Sequence, residues 1–258
     1  MKTEVTAWHT GNAGIVIREY DTEKNQNVAV GFDVFARDPN GLYPDTPDRI
    51  REQILEEIET GAIEMLVFTH EHGDHFCLVD TLEALRRNPA LRILSTEAVI
   101  RQIREREPQA GRLTAIRASE QKYRVADLGA VSLTVFNSVH MGDQFADIQN
   151  LVCLIEIGGR HILLPGDARP DSQLYRRAAA WSEDIDWLIG PFPLLGLPSS
   201  RRLIRQNLKL GHVLAVHLPR PEKDAEGWRR NAEHICRTAE DGLPVPVFGY
   251  EPGKQYRL

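Results

Sequence analysis

Three of the nine histidines in the sequence lie within the six-residue run His70–His75, which reads HEHGDH. Imidazole nitrogens and carboxylate oxygens are the ligands that Zn²⁺ and similar divalent metals prefer. In an extended segment, His70 and His72 point to the same side because side chains alternate with period two. The glycine that follows permits a sharp turn, after which Asp74 and His75 approach from another side. The run therefore offers ligands in two groups, which suggests two adjacent metals.

An ordinary polar loop is the alternative interpretation of this run, with Asp74 capping the helix that follows. A cap accounts for Asp74 but leaves three histidines unexplained. Burying three imidazoles without partners is unfavourable. We therefore predict a metal site in this loop.

The composition is that of a globular protein, with 258 residues of which 42% are hydrophobic and 26% are charged. A net charge of −6 and the lack of a basic stripe argue against a nucleic-acid partner. No apolar run approaches the roughly 20 residues of a membrane span, and we expect no secretion signal. Cys77, Cys153 and Cys236 are odd in number and widely spaced, which favours reduced thiols. We expect a cytoplasmic protein with a small-molecule substrate, either monomeric or homo-oligomeric.

Hydrophobic periodicity predicts strands followed by alternating strands and helices, and this order occurs twice along the chain. The predicted strands are 4–9, 13–19, 27–34, 64–69, 91–95, 113–117, two within 121–137, 151–157, 161–165, 187–189 and 212–217. The predicted helices are 47–60, 75–88, 96–107, 171–181, 199–209 and 224–240, with a loop at 191–193 and an edge strand and coil in the tail 243–258. No linker interrupts the chain, so we predict one α/β (α+β) domain over residues 1–258. Two mixed sheets should pack face to face with helices outside.

One loop cannot complete two metal sites, so further ligands are expected elsewhere. Open α/β sheets place their ligand sites at the ends of strands and in the loops that follow. Three residues stand at such positions: His140, Asp167 and His217. Each of them alone is equally well explained as an ordinary polar residue at a strand end. As a set that completes the first loop they are much stronger candidates.

This arrangement resembles the ligand pattern of the metallo-β-lactamase superfamily. The matching residues are His70-x-His72-x-Asp74-His75, then His140, then Asp167 in Gly-Asp-Ala, and then His217. The resemblance extends from about Trp8 to Leu218. It implies a four-layer αββα sandwich, which agrees with the predicted order of elements.

The resemblance also implies how the ligands are shared between two metals. It assigns His70, His72 and His140 to one metal, Asp74, His75 and His217 to the other, and Asp167 to both. Asp33, at the end of an early strand, resembles the family's first acidic motif and would hold a ligand histidine or its loop. Zn²⁺ is the first expectation, and a set of nitrogen and oxygen ligands also admits Mn²⁺ or Fe²⁺.

The implied activity is hydrolysis of a small ester, lactone or phosphoester. A hydroxide shared by two metals, with a pKa of about 7, would attack carbon or phosphorus. Asp74 would orient it and pass a proton to the leaving group. The opening Trp8–Gly14, WHTGNAG, is similar to the compact lactonase-like branch, so a lactonase is preferred. A phosphodiesterase of the same fold is one alternative, and a metal-binding protein without catalysis is another.

The remaining histidines and several loop residues are weaker candidates. His9 is expected near the edge of the site and Cys77 is a less favoured ligand. We expect His161, His212 and His234 to be structural or exposed to solvent. Loops that should ring the metals carry possible substrate contacts: Phe35, Arg37, Tyr43, Phe145 and Arg169.

Overall fold

A computed structural model describes residues 3–21, 26–119, 122–125 and 131–258. Within them the strands form two seven-stranded mixed sheets. The first sheet has the order β14-β1-β2-β3-β4-β5-β6 and the second has the order β13-β12-β11-β10-β9-β8-β7. The predicted pair of mixed sheets is therefore confirmed.

The first sheet is built mostly from the first half of the chain. Its strands are β1 (Thr3–Gly11), β2 (Gly14–Asp21), β3 (Gln26–Phe32), β4 (Met65–Val67), β5 (Arg92–Thr96), β6 (Leu113–Ile116) and β14 (Gln255–Arg257). Strands β1, β2 and β3 form an antiparallel meander, and β3 to β6 are parallel. Strand β14 pairs antiparallel with β1, as expected for an edge strand from the tail.

The second sheet is built from the second half of the chain. Its strands are β7 (Tyr123–Val125), β8 (Ser132–Val139), β9 (Gln149–Ile157), β10 (Arg160–Leu164), β11 (Asp184–Pro191), β12 (Lys209–Val216) and β13 (Val247–Phe248). Strands β7 to β10 are antiparallel, and β10 to β13 are parallel. Residues 120–121 and 126–130, on which part of the strand pair predicted within 121–137 falls, lie outside the described residues.

Helices cover the outer faces of both sheets. They are α1 (Asp48–Glu59), α2 (Leu78–Arg87), α3 (Glu97–Arg106), α4 (Ser172–Trp181), α5 (Phe192–Gly196), α6 (Pro198–Asn207) and α7 (Trp228–Thr238), with a 3₁₀ helix at Asp143–Phe145. One apolar cluster fills the space between the sheets, and two more lie between each sheet and its helices. Within the described residues, no helix is both long and apolar enough to cross a membrane.

Helix α1 shows how the sequence produces an outer layer. Pro47 precedes its first turn, and the buried residues Ile50, Ile54 and Ile58 lie on one face at helical spacing. That face packs with apolar residues of the first sheet in one cluster. The helix ends before Gly61, whose φ of 77° is a left-handed conformation that glycine adopts easily.

Some predicted boundaries are wrong for local reasons. Helix α2 begins at Leu78 rather than at residue 75, because the preceding residues form a turn in which the amides of His75 and Phe76 both donate to the carbonyl of His72. The loop predicted at 191–193 is instead the end of β11 and the start of the short helix α5. Helix α7 begins at Trp228, where the carboxylate of Asp224 accepts from the Trp228 amide.

The parallel strands of both sheets end at one edge of the sandwich. Asp33 follows β3, His70 follows the segment after β4, and Asp167 follows β10. His140 follows β8, which runs in the same direction as β10, and His217 directly follows β12. This shared direction explains how residues from both halves of the chain reach a single site.

Candidate metal centre

The seven predicted ligands come together at this edge in three overlapping groups. The groups are His70 with His72 and His140, His70 with His75 and Asp167, and Asp74 with His75 and His217. Within each group the ligand atoms lie within 4.8 Å of one another. The structure therefore brings together every residue that was predicted to bind metal.

Asp167 lies at the centre of the cluster. Its Oδ2 atom is 3.5 Å from Nε2 of His75, 3.5 Å from Nε2 of His140 and 3.4 Å from Nε2 of His217. His140 belongs to one outer group and His75 and His217 to the other. Asp167 thus lies between the two outer groups and within reach of ligand atoms from both.

Asp74 provides a carboxylate that remains partly accessible. Its Oδ2 atom lies 3.1 Å from Nε2 of His217, and its side chain is 16% exposed. Burial alone would raise the pKa of Asp74, but contact with His217 and the charge of His75 outweigh burial and lower the pKa to about 2. Asp74 is therefore a carboxylate at neutral pH.

The buried polar atoms of the cluster fit bound cations. In the described part of the chain, Nε2 of His75, Nε2 of His140, Oδ1 of Asp167 and both ring nitrogens of His217 form no well-aligned hydrogen bond, although carboxylate oxygens lie 3.1 to 3.5 Å from the three Nε2 atoms. Buried polar atoms normally have partners. Nitrogen and carboxylate oxygen atoms that converge without partners form a suitable ligand set for divalent metals.

Asp33 holds the ring of His75 from behind. One carboxylate oxygen of Asp33 accepts from the amide of Thr69 at 2.7 Å. The other accepts from the Thr69 hydroxyl at 2.7 Å and from Nδ1 of His75 at 2.9 Å. Because the hydrogen of His75 is then on Nδ1, its Nε2 atom is left to face Asp167. Such outer contacts fix the orientation of ligand rings.

The electrostatic environment shifts the pKa values of the ligand histidines in opposite directions. Burial alone would lower the pKa of His75, but the charges of Asp167 and Asp33 raise it to about 10. The pKa of His217 is raised for the same kind of reason, with burial again opposed by Asp167. Burial lowers the pKa of His70 well below its ordinary value. Without metal, protons on His75 and His217 offset the buried acids, and metal binding must displace those protons.

Three polar residues that the sequence analysis did not single out support the ligands. Thr69 Oγ1 lies 3.0 Å from Nδ1 of His70, in addition to its bonds with Asp33. Asn12 donates from its amide to the carbonyl of Asp74 at 2.7 Å. Asn150 accepts from the amide of Asp167 at 2.9 Å. The one signal in the sequence is the position of Thr69 directly before the histidine run.

Two aromatic rings flank the cluster on different sides. The Tyr43 ring lies edge-on to His217 with centroids 3.9 Å apart. Phe145 lies 4.8 Å from the His72 ring and 5.0 Å from the His140 ring. Both aromatic residues are half-buried, so each ring presents an apolar surface beside the metal ligands.

The other three residues that were predicted to contact the substrate are Phe35, Arg37 and Arg169. The expectation for Phe35 is wrong, because its side chain is fully buried in the apolar cluster between the first sheet and its helices. Arg37 donates to Asp48 and Asp80, so its guanidinium is already paired. Arg169 lies 3.6 Å from the carboxylate of Asp143.

The remaining weaker candidates lie outside the three ligand groups. Cys77 precedes the first turn of α2. His161 contacts Ser182, His212 stacks on Trp187, and His234 is exposed, in agreement with structural or surface roles. His9 is buried and contacts the centre through Asn12.

Comparisons with known proteins agree with this geometry. A family profile described as a beta-lactamase superfamily domain matches residues 43–201. No curated protein sequence matches the chain significantly. Among solved structures, the metallo-beta-lactamase fold protein YhfI from Bacillus subtilis aligns with a TM-score of 0.65 and 13% identity over 99% of this chain and 100% of that chain.

Two further structures have the same fold at similarly low identity. Unliganded yeast PDE1 aligns with a TM-score of 0.64 and 11% identity over 100% of both chains. An isothiocyanate hydrolase from Delia radicum gut bacteria aligns with a TM-score of 0.64 and 12% identity over 97% of this chain and 98% of that chain. Since the family profile covers more than half of the sequence, this chain belongs to the beta-lactamase superfamily, and the structural alignments show the metallo-beta-lactamase fold.

Proposed function

We propose that this protein is a dinuclear metal-dependent hydrolase that cleaves a small ester or lactone. The observation that carries the proposal is the position of Asp167 Oδ2, 3.4 to 3.5 Å from three histidine nitrogens that belong to both outer ligand groups. A single carboxylate between two sets of ligands is what two adjacent cations need. One isolated metal would require far fewer of these residues.

The ligands divide between two cations. His70, His72 and His140 would hold one metal, Asp74, His75 and His217 would hold the other, and Asp167 would contact both. When bound, a pair of divalent metals supplies Lewis acidity, which lowers the pKa of water and stabilises negative charge on a substrate oxygen. Zn²⁺ is the proposed metal because it favours histidine together with carboxylate, with Mn²⁺ or Fe²⁺ as alternatives.

Asp74 is proposed to manage the proton of the reaction. Its pKa of about 2 keeps it ionised at neutral pH, and its side chain is among the less buried of the cluster. The carboxylate would accept a proton from the attacking water and pass it to the alcohol oxygen of the leaving group. The acyl carbon gains the water oxygen as the bond to the alcohol breaks, so atoms and charge balance.

The surroundings favour an uncharged substrate over a phosphoester. Tyr43 and Phe145 place apolar rings beside the two ligand groups. Of three described arginines near the site, Arg37 pairs with Asp48 and Asp80, Arg220 donates to the carbonyl of Tyr43, and Arg169 has only an exposed contact with Asp143 at 3.6 Å. Arg169 is therefore the one of these three that a phosphate could still engage, and the preference for an uncharged substrate rests on the two apolar rings.

The proposed partner is thus a small molecule rather than a macromolecule. The three cysteines are free thiols, which fits a reducing compartment. We therefore include a cytoplasmic location in the proposal.

Turnover of matched substrates tests the proposal. Protein loaded with Zn²⁺, and separately with Mn²⁺ or Fe²⁺, should hydrolyse simple lactones and aryl esters. It should act more slowly on bis(p-nitrophenyl) phosphate, whose leaving group is the same as that of p-nitrophenyl acetate. Asp167→Asn is the control with a reduced rate, since activity from contaminating hydrolases would not fall with this substitution.

Each alternative has its own outcome. Faster cleavage of the phosphodiester than of the ester would favour assignment of the protein as a phosphodiesterase rather than a lactonase. Tight binding of two metals without turnover of either substrate class would favour a metal-binding protein that lacks catalysis.

A further inference from the structure

Three residues with unusual backbone conformations surround the metal centre. Across the described residues, the non-glycine residues with positive φ are Asn12 at 46°, Asp33 at 49° and His217 at 56°. Such conformations are uncommon outside glycine and are often found at functional sites. Asp33 supports a ligand and His217 is itself a ligand. Asn12 is not a ligand and lies in the two-residue turn between β1 and β2, where asparagine with positive φ is common, so its role has to be argued from its hydrogen bonds.

Asn12 connects two ligands of the same metal. Its side-chain amide donates to the carbonyl of Asp74 at 2.7 Å. Its own carbonyl accepts from the amide of His217 at 3.1 Å. Asn12 is 1% exposed, so water does not compete for these bonds. The three chain segments that carry Asn12, Asp74 and His217 are therefore joined at one residue.

His9 fixes Asn12 from the opposite side. Nε2 of His9 donates to the Asn12 carbonyl at 3.0 Å. The tail of the chain holds the backbone of His9. The His9 amide donates to the backbone carbonyl of Lys254 at 2.9 Å, and the His9 carbonyl accepts from the backbone amide of Gly253 at 2.7 Å. The carbonyl of Asn12 thus accepts two hydrogen bonds, one from the supporting His9 and one from the ligand segment at His217.

We propose that Asn12 is a positioning residue that selectively raises the affinity of the Asp74, His75 and His217 group for its metal. The inference rests on the proposed dinuclear centre. In the described structure, the hydrogen bonds of Asn12 reach Asp74 and His217 but not His70, His72 or His140. The effect should therefore fall on one metal and leave the other unchanged.

Asparagine suits both requirements of this position. Among residues with a side chain, it adopts left-handed conformations with little strain. Its amide also supplies the donor for the carbonyl of Asp74. Asn12→Gly keeps the conformational freedom and removes the donor, while Asn12→Asp keeps the shape and replaces the donor by an acceptor.

Metal titration in two backgrounds tests the selectivity. His72→Ala disables the first group and His217→Ala disables the second, so each background retains one intact group. In the His72→Ala background, Asn12→Gly should weaken Zn²⁺ binding about tenfold, the effect of losing one hydrogen bond. In the His217→Ala background, Asn12→Gly should leave Zn²⁺ binding unchanged.

Asn88→Gly is the matched control. Asn88 also donates from its side chain to a backbone carbonyl, that of Ile58 at 2.8 Å, but it lies at the end of α2 away from the centre. It should leave Zn²⁺ affinity unchanged in both backgrounds. Equal weakening of both groups by Asn12→Gly, or no weakening of either, would overturn the proposal.

Hydrogen exchange of the metal-free proteins tests whether Asn12 positions the turn that contains Asp74, even if Zn²⁺ binds differently from the proposal. The amides of His75 and Phe76 donate to His72 in the turn that contains Asp74. If Asn12 holds this turn, those amides should exchange faster in Asn12→Gly and Asn12→Asp than in wild type or Asn88→Gly. Unchanged exchange would contradict the positioning role, whereas failure of the wild type to bind two metals would contradict the proposed centre alone.

Discussion

Oδ2 of Asp33 lies 2.9 Å from Nδ1 of His75, although the two residues are 42 positions apart in the chain. The contact joins the end of β3 to the turn after β4, and the same carboxylate also accepts from the Thr69 hydroxyl. One buried acid therefore fixes both the rotation of the His75 ring and the position of Thr69, the residue before the histidine run.

Asp33→Asn should weaken metal binding by about 10- to 100-fold, the usual effect of losing an outer contact to a ligand. The amide keeps the size and tolerates the φ of 49°, but its NH₂ group cannot accept from His75. Calorimetric titration with Zn²⁺ measures the change. Asp186→Asn, which alters an acid that accepts from the amide of His161, is the control. Wild-type affinity in Asp33→Asn would show that His75 needs no support.

The wild-type protein should bind two divalent metals per chain when saturated. Seven ligand residues converge in groups that share Asp167, which is more than one cation needs. Elemental analysis after removal of excess metal gives the ratio. A value at or below about one equivalent would contradict the division of ligands. Purified protein is expected to be less than fully occupied at low pH, since protons compete for the histidines.

His72→Ala and His217→Ala should each abolish turnover while the fold survives. The two residues belong to different outer groups, and neither is a member of the apolar clusters that form the core. Steady-state rates at saturating metal, with circular dichroism and thermal unfolding, measure both effects. A His217→Ala protein with a near-normal rate would remove the second metal from the reaction.

Asp167→Asn should lose one metal preferentially and lower the rate more than about tenfold. The substitution keeps the size but removes the charge that lies between two cations, which then repel in a poorly hydrated site. Asp171→Asn is the control: Asp171 is the N-cap of α4 and accepts from Gln173 and Leu174. Because asparagine is an equally good N-cap, this control should change neither rate nor stability. Tight binding of both metals to Asp167→Asn would contradict bridging.

The metal-free protein should become less stable as pH rises from 6.5 to about 10. The pKa of His75 is about 10 when folded against 6.5 when exposed, so its proton stabilises the fold fully below pH 6.5 and this contribution is lost toward pH 10. Metal affinity should rise over the same range because the proton is displaced. Thermal unfolding in chelator at several pH values measures the first effect. His75→Gln should reduce the dependence of the unfolding temperature on pH. An unchanged dependence would show that other groups cause the loss of stability.

Much of the site could be predicted from residue type and strand order. Four ligands lie within the six residues His70–His75, and His140, Asp167 and His217 stand at strand ends, where polar residues are easy to recognise. His9 was expected near the edge of the site, but the hydrogen bonds of Asn12, Asn150 and His9 could not be predicted, because they join segments that no periodic pattern relates.

Close packing accounts for one wrong expectation and adds a reason for one correct one. Phe35 lies three residues after the end of β3, in a segment that reads as a surface loop, but its ring is buried in the apolar cluster between the first sheet and its helices. Gly73 lies in the predicted turn, and the place of its missing side chain is 2.7 Å from the carbonyl of Arg37, so a larger residue would also meet the neighbouring loop. Such contacts between distant loops could not be predicted from local sequence.

The pairing of β14 with β1 has a consequence for synthesis on the ribosome. Strand β1 is nine residues long and meets β14 along its outer edge, at residues 255–257. While the chain is being made, that edge stays unpaired until β14 has emerged. Open edges of this kind favour association with other chains, so the period before the last strand docks is when a nascent molecule is most exposed to aggregation.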